Sequence, residues 1–532
     1  MNRVVLFFPD HHDVRRAGRF QDRQILPLGT LAIATPLAAA GFAVEIIDQR
    51  IHEDWPARLR EALTKEPVFF GVSSMTGVQI KGGLQASRIC KEVAPGVPVV
   101  WGGVHPSLLP DQTLAHPDVD VVVVGEGDLA APELAQALLT GRDLATVDGI
   151  GFKRDGATIK TKPRALLDVE RLPSTDYTLI PDIDAYKVTA FYTGKASLAY
   201  QSSRGCAHPC GYCYNLEFND MRFRARSPAR VVAEIEDLIQ RFDLRAVFML
   251  DDNFFQSKRR VGEIAERIIA RGLDVEFYNA NCRIDYISRY DVEFLKLLHR
   301  AGIRELRIGI ESGSNTTQQR IDKYTTFDEC LVANRKLKEA GIVPHYNFMV
   351  GFPEETLAEV TDTLRLMDRL LDDYPDAFVY NCSLFSPYPG TPLYDVAVGA
   401  GWVPPSRLED WVTAEFKDLN VACTPAWSRY ICDVHEFSGY LDAKHRGRLG
   451  RLYSNLARAR VRRGWVGWLP EARLRRLVRN GMGILRKRSQ PFSEYRERPV
   501  GSQGGAMAPM RTDGTVRGHN AHVAALGSAI EA

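Results

Sequence analysis

The sequence has almost no net charge, no apolar run long enough to cross a bilayer, and too few cysteines for a disulfide scaffold. Each shortage removes a class of function. In 532 residues, 68 Lys and Arg stand against 66 Asp and Glu, a balance of +2, so no whole-chain field draws the protein to nucleic acid or to a membrane. No stretch approaches the roughly 18–20 consecutive apolar residues of a membrane span. The opening run MNRVVLFFPD is halted by Pro9, Asp10 and two histidines, which marks a buried strand rather than a signal peptide. Nine cysteines, an odd number on a chain of this length, do not make a disulfide framework. These readings predict a soluble, cytoplasmic chain. The neutrality is an average, however: residues 441–500 hold 17 Lys and Arg but only 4 Asp and Glu, a local +13 that leaves the rest at −11.

The length predicts two or three domains. Residues 1–145 alternate β-branched runs with helical stretches, the pattern of a parallel sheet covered on both faces. Five strands, Val4–Phe8, Val44–Asp48, Val68–Ser73, Val97–Trp101 and Val119–Val124, separated by crossover helices predict a flavodoxin-like doubly wound α/β domain. Glycine-rich loops fall at its strand ends, where such sheets bind ligands. Residues 146–195 read as a connector with a small hairpin around Asp155-Gly156. A second alternation over 196–392 predicts six β/α units, an incomplete barrel whose chemistry belongs at the carboxyl ends of its strands. Residues 393–498 read as a helical, Arg-rich region and 499–532 as a disordered tail.

Directly after the first strand of the second domain stand Cys206, Cys210 and Cys213, in Cys-Ala-His-Pro-Cys-Gly-Tyr-Cys. A structural zinc site is the alternative, but it needs four closed ligands and no second cysteine pair is present. Three thiolates suit a [4Fe–4S] cluster with one iron left open. The CxxxCxΦC spacing, with Tyr212 at Φ, resembles that of radical S-adenosylmethionine (SAM) enzymes. The resemblance extends to Leu250–Phe254, Arg307–Gly313, Phe348–Glu354 and Ser386–Leu393. It implies that the open iron chelates SAM, that the reduced cluster cleaves it to a 5′-deoxyadenosyl radical, and that Tyr212, Asp252, Arg283, Glu311 and Gly351 contact SAM. Asp251-Asp252-Asn253 stands where the family's Gly-Gly-Glu-type motif is usual. Tyr388 is a candidate hydrogen or proton donor; Tyr278, Asn281, His345, Asn347, Tyr380 and Asn381 are candidate substrate-lining residues.

The first domain, followed by such a barrel, resembles that of cobalamin-binding radical SAM enzymes, including class B methyltransferases and the anaerobic magnesium-protoporphyrin cyclase group. That resemblance implies cobalamin against Leu28, Gly29, Ser73, Ser74, Thr76, Gly102, Gly103, His105, Gly125 and Glu126. The alternative is a domain that keeps the shape without the cofactor. Asp10-His11-His12-Asp13-Val14-Arg15 matches the Asp and His of a cobalt-ligating D-x-H-x-x-G but ends in Arg. His12 is therefore a candidate cobalt ligand, with a solvated loop as the plainer reading and Met75 or Thr76 as other neighbours of that face. A methylthiotransferase is disfavoured, because Cys90 alone stands where that family's first domain carries a cysteine trio.

What the resemblance implies is methylation of an unactivated carbon or a phosphorus. One SAM methylates cob(I)alamin and a second supplies the radical that opens the substrate. Oxidative ring formation and a corrin-free radical reaction are the alternatives, and a non-catalytic cobalamin or cluster sensor is the farthest. The expected partners are a small-molecule substrate and a cytosolic reductant such as flavodoxin or ferredoxin, without nucleic acid. Residues 446–490 interleave arginines with Trp465 and Trp468; they suit either a peripheral membrane or acidic partner, or a helix packed on the acidic remainder of this chain.

Overall fold

The computed structural model describes residues 2–10, 25–189, 194–413, 428–443 and 447–473. In the first domain β1 (Arg3–Phe8), β2 (Ala43–Asp48), β3 (Phe69–Ser73), β4 (Val99–Gly102) and β5 (Val121–Val123) are parallel and ordered 2-1-3-4-5. Val5 and Phe7 face one side of the sheet and Val4 and Leu6 the other, and all four are buried beneath helices. Both faces must therefore be apolar, which is why these strands read as continuous hydrophobic runs. The order reverses between β1 and β3, so the helices leaving their carboxyl ends diverge and open a crevice.

The predicted hairpin forms, with Asp155 and Gly156 both at positive φ, but it is not part of a connector. Its strands β6 (Ile150–Arg154) and β7 (Ala157–Lys160) continue the first sheet to seven strands, β6 pairing antiparallel with β5. The first domain thus runs to about residue 160 rather than 145. β5 is only three residues long, and the hairpin covers the backbone groups it would otherwise present at an open edge.

The second domain has six parallel strand positions, two of them broken. β8 (Val188–Thr189) borders β9 (Ala196–Tyr200), and β10 (Ser203–Arg204) pairs with β11 (Arg224–Ala225) to close the base of the cysteine loop. β12 (Ala246–Met249) and β13 (Glu276–Tyr278) complete one sheet; β14 (Ala280–Arg283), β15 (Glu305–Glu311), β16 (Val343–Val350), β17 (Phe378–Val379) and β18 (Ser383–Leu384) form the other. The third strand divides at Asn279, which takes φ +58° while its Nδ2 donates to the Met249 carbonyl at 3.1 Å. The helix Pro228–Arg241 follows its sequence signs: Ser227 accepts from the Arg230 N–H, and Val231, Ile235 and Leu238 are buried.

The sequence predicts a single helical region over 393–498, whereas the chain uses its described part twice. Trp402, Leu408 and Trp411 return to the first domain's core, where Trp411 Nε1 donates to Gln112 Oε1 at 2.6 Å. The helices Ser428–Leu441 and Gly447–Arg462 pack instead on the barrel, through Ile431, Val434, Phe437, Ala457 and Val461. Among the described residues no helix is long and apolar enough to cross a membrane. The proposed disordered tail lies outside the described residues.

Candidate functional site

The crevice beside β1 and β3 widens into a cavity of about 1300 Å³, larger than a drug-sized ligand needs. Nine of the ten positions read as cobalamin contacts line it, all but His105. Its depth comes from small residues. Gly103 turns the chain at φ +96°, and a Cβ there would lie 2.8 Å from the Ser74 carbonyl oxygen. Leu6, Phe69, Val100 and Ala131 wall the inner end, between the sheet and its helices.

His105 faces away from the cavity. It is fully buried, its Nδ1 shares a hydrogen bond with Thr76 Oγ1 at 3.0 Å, and its ring meets Trp411 edge-on at 5.6 Å. The turn at Gly103 aims the side chain into the core, where burial pushes its pKa down to about 3. It braces the Thr76 loop as a neutral imidazole. His12 lies outside the described residues.

Glu126 lines the cavity, but its carboxylate is already committed. It accepts from Arg204 Nη1 at 2.9 Å, Arg224 Nη1 at 2.6 Å and the Leu167 N–H at 2.9 Å, while Arg204 also grips Asp128 at 2.8 Å. Burial opposes the charge on Glu126, but the Leu167 N–H and the two guanidinium groups outweigh it and hold the pKa below the usual range. Arg204 stands two residues before Cys206, so this network fastens the start of the cysteine loop to the first domain. The cavity's second wall comes from the barrel: Gln201, Arg204, Tyr214, Leu250 and Asp252. Arg204 and Tyr214 bracket the cysteine loop, which brings the cavity against it.

Within the loop, Cys210 is buried and Cys206 and Cys213 are partly so. Asn253 Nδ2 donates to Cys206 Sγ at 3.5 Å and Arg283 Nη1 to Cys210 Sγ at 3.3 Å. Burial pushes the Cys206 thiol up and the Cys213 thiol to about 12. Asp252 Oδ2 accepts the Gly205 N–H at 2.8 Å and Tyr214 donates to its Oδ1 at 3.4 Å, so this carboxylate positions the loop itself. Asp251, fully buried, holds Ser202 and Ser203 and ties the ends of β9 and β12 together.

Glu311 sits at a bulge in β15 with φ +73°. Its Oε1 accepts from Lys323 Nζ at 2.8 Å, and the same ammonium donates to the Tyr212 hydroxyl at 3.2 Å. Lys323 carried no sequence signal. Tyr212 packs 6.1 Å from Phe352, beside Gly351, whose φ is +85° and whose N–H donates to Glu355 at 2.6 Å. The five expected SAM contacts thus gather around the cysteines. Tyr388 stands behind Tyr214, ring centroids 6.5 Å apart, and is not among the cavity-lining residues. Nor do the six candidate substrate residues line it: Asn281 is bonded to the Asp251 carbonyl and His345 to the hydroxyl of the exposed Tyr380.

Comparison with known proteins matches residues 200–367 to the radical SAM superfamily and 23–135 to the B12 binding domain. An uncharacterized methyltransferase of Pyrococcus horikoshii, PH0819, is 30% identical over 376 residues, 70% of this chain and 78% of the relative. The chain belongs to the cobalamin-binding radical SAM family. The anaerobic magnesium-protoporphyrin IX monomethyl ester cyclase of Synechocystis is 28% identical over 400 residues, 74% of this chain and 77% of that one. In fold, the chain resembles the radical SAM methyltransferase TsrM of Kitasatospora setae, solved with cobalamin and a [4Fe–4S] cluster, at TM-score 0.62 and 21% identity over 76% of each chain.

The cofactors of a cobalamin-binding radical SAM enzyme are a [4Fe–4S] cluster, SAM and cobalamin, and the residues present suit all three. Among the described residues no three His, Cys, Asp or Glu side chains converge on one ion. Each of the three cysteines can hold one iron of a [4Fe–4S] cluster and leave the fourth open. Beside them, Asn253 Oδ1 is a buried acceptor without a partner, suited to the ammonium of SAM. In the cavity wall Thr30 Oγ1 is likewise buried and unpartnered, as a hydroxyl awaiting a polar group of the corrinoid would be.

Proposed function

We propose that this chain transfers a methyl group from SAM, by way of cobalamin, to an unactivated carbon or a phosphorus of a small-molecule substrate. The observation that supports this best is the shared wall: one cavity is lined by the glycine loops of the first domain and by the two residues that bracket the cysteine loop. When bound, the cluster with SAM supplies a hydrogen-abstracting radical and cobalamin supplies the methyl group. The chain's own residues position and exclude. Leu250, Phe218 and Phe8 give the cavity an apolar wall against water. Arg283 donates to Cys210 and to the Lys323 carbonyl, fixing the loop's deepest cysteine. Tyr214, whose pKa is raised by the Asp252 charge and by burial, keeps its phenolic proton and directs it to Asp252. Tyr388 supports that ring.

The same reading places the enzyme in the cytoplasm with flavodoxin or ferredoxin as electron source. Oxidative ring formation is a second reading, favoured by the Synechocystis relative. Anaerobic reconstitution with iron, sulfide and hydroxocobalamin, then desalting, should leave about four irons and one cobalt per chain. Given reductant, candidate substrates and SAM labelled in its methyl group, the protein should place the label in product. Iron without cobalt would make this a corrin-free radical enzyme. An unlabelled product lighter by two hydrogens would make it a cyclase.

A further inference from the structure

The helix Gly447–Arg462 carries its apolar residues on the wrong side for a helix that serves only its own core. The face against the barrel is small: Gly450, Ser454, Ala457 and Val461 are buried. Beside that contact Arg458 and Arg462 reach Asp368 at 2.5 and 2.7 Å and Asp372 at 3.2 and 3.0 Å, so acidic partners on the helix Leu357–Asp373 satisfy these two arginines. Leu449, Leu452, Tyr453 and Leu456, spaced i, i+3, i+4, i+7, form a separate stripe that is 52–69% exposed. Trp465 and Trp468, just beyond the helix, are 61% and 71% exposed. Arg448, Arg451 and Arg463 accompany the stripe and make no ion pair among the described residues, and Arg463 stands over the Trp465 ring at 5.3 Å.

We propose that this face docks on an anionic lipid surface, with the leucines and tryptophans entering the headgroup boundary and the arginines meeting lipid phosphate. Charge selects this occupant. From Ala443 to Pro470 there are eight Lys and Arg and no Asp or Glu, and residues 474–488 add six more basic residues. A cover made from that following segment, or from the same face of a second copy, would bring like charge against like charge. An anionic bilayer answers both the charge and the apolar stripe, and tryptophan is the residue suited to the depth between them.

Sedimentation of the reconstituted full-length protein with vesicles of phosphatidylcholine alone, or mixed with phosphatidylglycerol, tests this. The expected result is binding to the mixed vesicles only, weakened by salt. The pair Leu452→Gln and Leu456→Gln should lower partitioning on the order of ten-fold or more, and Arg448→Gln with Arg451→Gln roughly five-fold per arginine. Leu139→Gln, an exposed leucine of the first domain, should change nothing. These substitutions lie on exposed side chains, so unchanged iron content reports an intact fold. Equal binding to both vesicle types, no binding to either, or stripe variants that partition like the parent would overturn the proposal and assign the face to the chain's own tail, a second copy or a protein partner.

Discussion

Where the first domain meets its cofactor it offers glycine, serine and backbone around a void. Around the cysteines the barrel offers side chains that are already engaged: Arg283 with Cys210, Asn253 with Cys206 and Lys323 with Glu311. The contrast follows from what each cofactor brings. A corrinoid carries its own amides and a long nucleotide tail, so under the proposed reading the protein must supply room, and Gly29, Gly102 and Gly125 leave it along the cavity by having no side chain. A cluster and SAM bring concentrated charge on a few atoms. Room alone would not hold them, and under the same reading the barrel's aimed donors, Arg283 on Cys210 and Asn253 on Cys206, meet that need.

Disabling one site while reading the other separates the two most sharply. Cys213→Ala should abolish SAM cleavage, a loss down to the uncatalysed background, while leaving cobalt retention unchanged. Combined iron and cobalt analysis with a 5′-deoxyadenosine assay checks it. Loss of cobalt together with iron would mean that the two sites are not separately built. Next in size is the fastening between them. Arg204→Ala leaves Glu126 and Asp128 buried without their shared cation, and removing one member of a buried ion pair costs about 3–5 kcal/mol. Chemical denaturation should show that loss, and Arg204→Lys should recover only part of it because an ammonium lacks the planar pair of nitrogens that grips both oxygens of Asp128 while reaching Glu126.

The third prediction fills the void. A Cβ at Gly29 meets nothing within 4 Å, so Gly29→Trp should fold normally yet occupy cofactor space. Cobalamin retention should fall about a hundred-fold, roughly 2.7 kcal/mol, with iron unchanged. Equilibrium dialysis with hydroxocobalamin measures it. An unaltered affinity would move the corrinoid away from that end of the cavity.

The two regions also differed in what their sequence disclosed. The cysteine spacing is a local chemical pattern and needs no tertiary context. The glycine loops were legible because strand periodicity placed them at one edge of one sheet. What escaped were the partners of charged residues. Lys323 lies 12 residues from Glu311 in a loop with no motif, and Arg204 meets Glu126 across 78 residues and a domain boundary. Glu126 and His105 sit in loops correctly read as belonging to the ligand edge, but side-chain direction is set by φ at Gly103 and by the docking of the barrel. The hairpin at 150–160 was visible as a hairpin, and only the short β5 beside it decides that it joins the first sheet.

His105 gives the smallest and most specific test, because it separates a loop held by a neutral hydrogen bond from one held by charge. Its folded pKa is about 3 against an ordinary 6.5, so the unfolded chain takes up a proton first as pH falls. The stability it contributes is therefore fully present above about pH 6.5 and is lost as pH falls toward 3, at about 1.4 kcal/mol per pH unit. Urea unfolding of the parent and of His105→Asn should diverge least in acid and most above pH 6.5, the variant keeping a polar group for Thr76 but no titratable one. A parent–variant difference that is flat from pH 4 to 6.5 would mean that the His105 ring takes its proton inside the fold, and the loop carrying Thr76 would then be braced by charge, as the barrel's is.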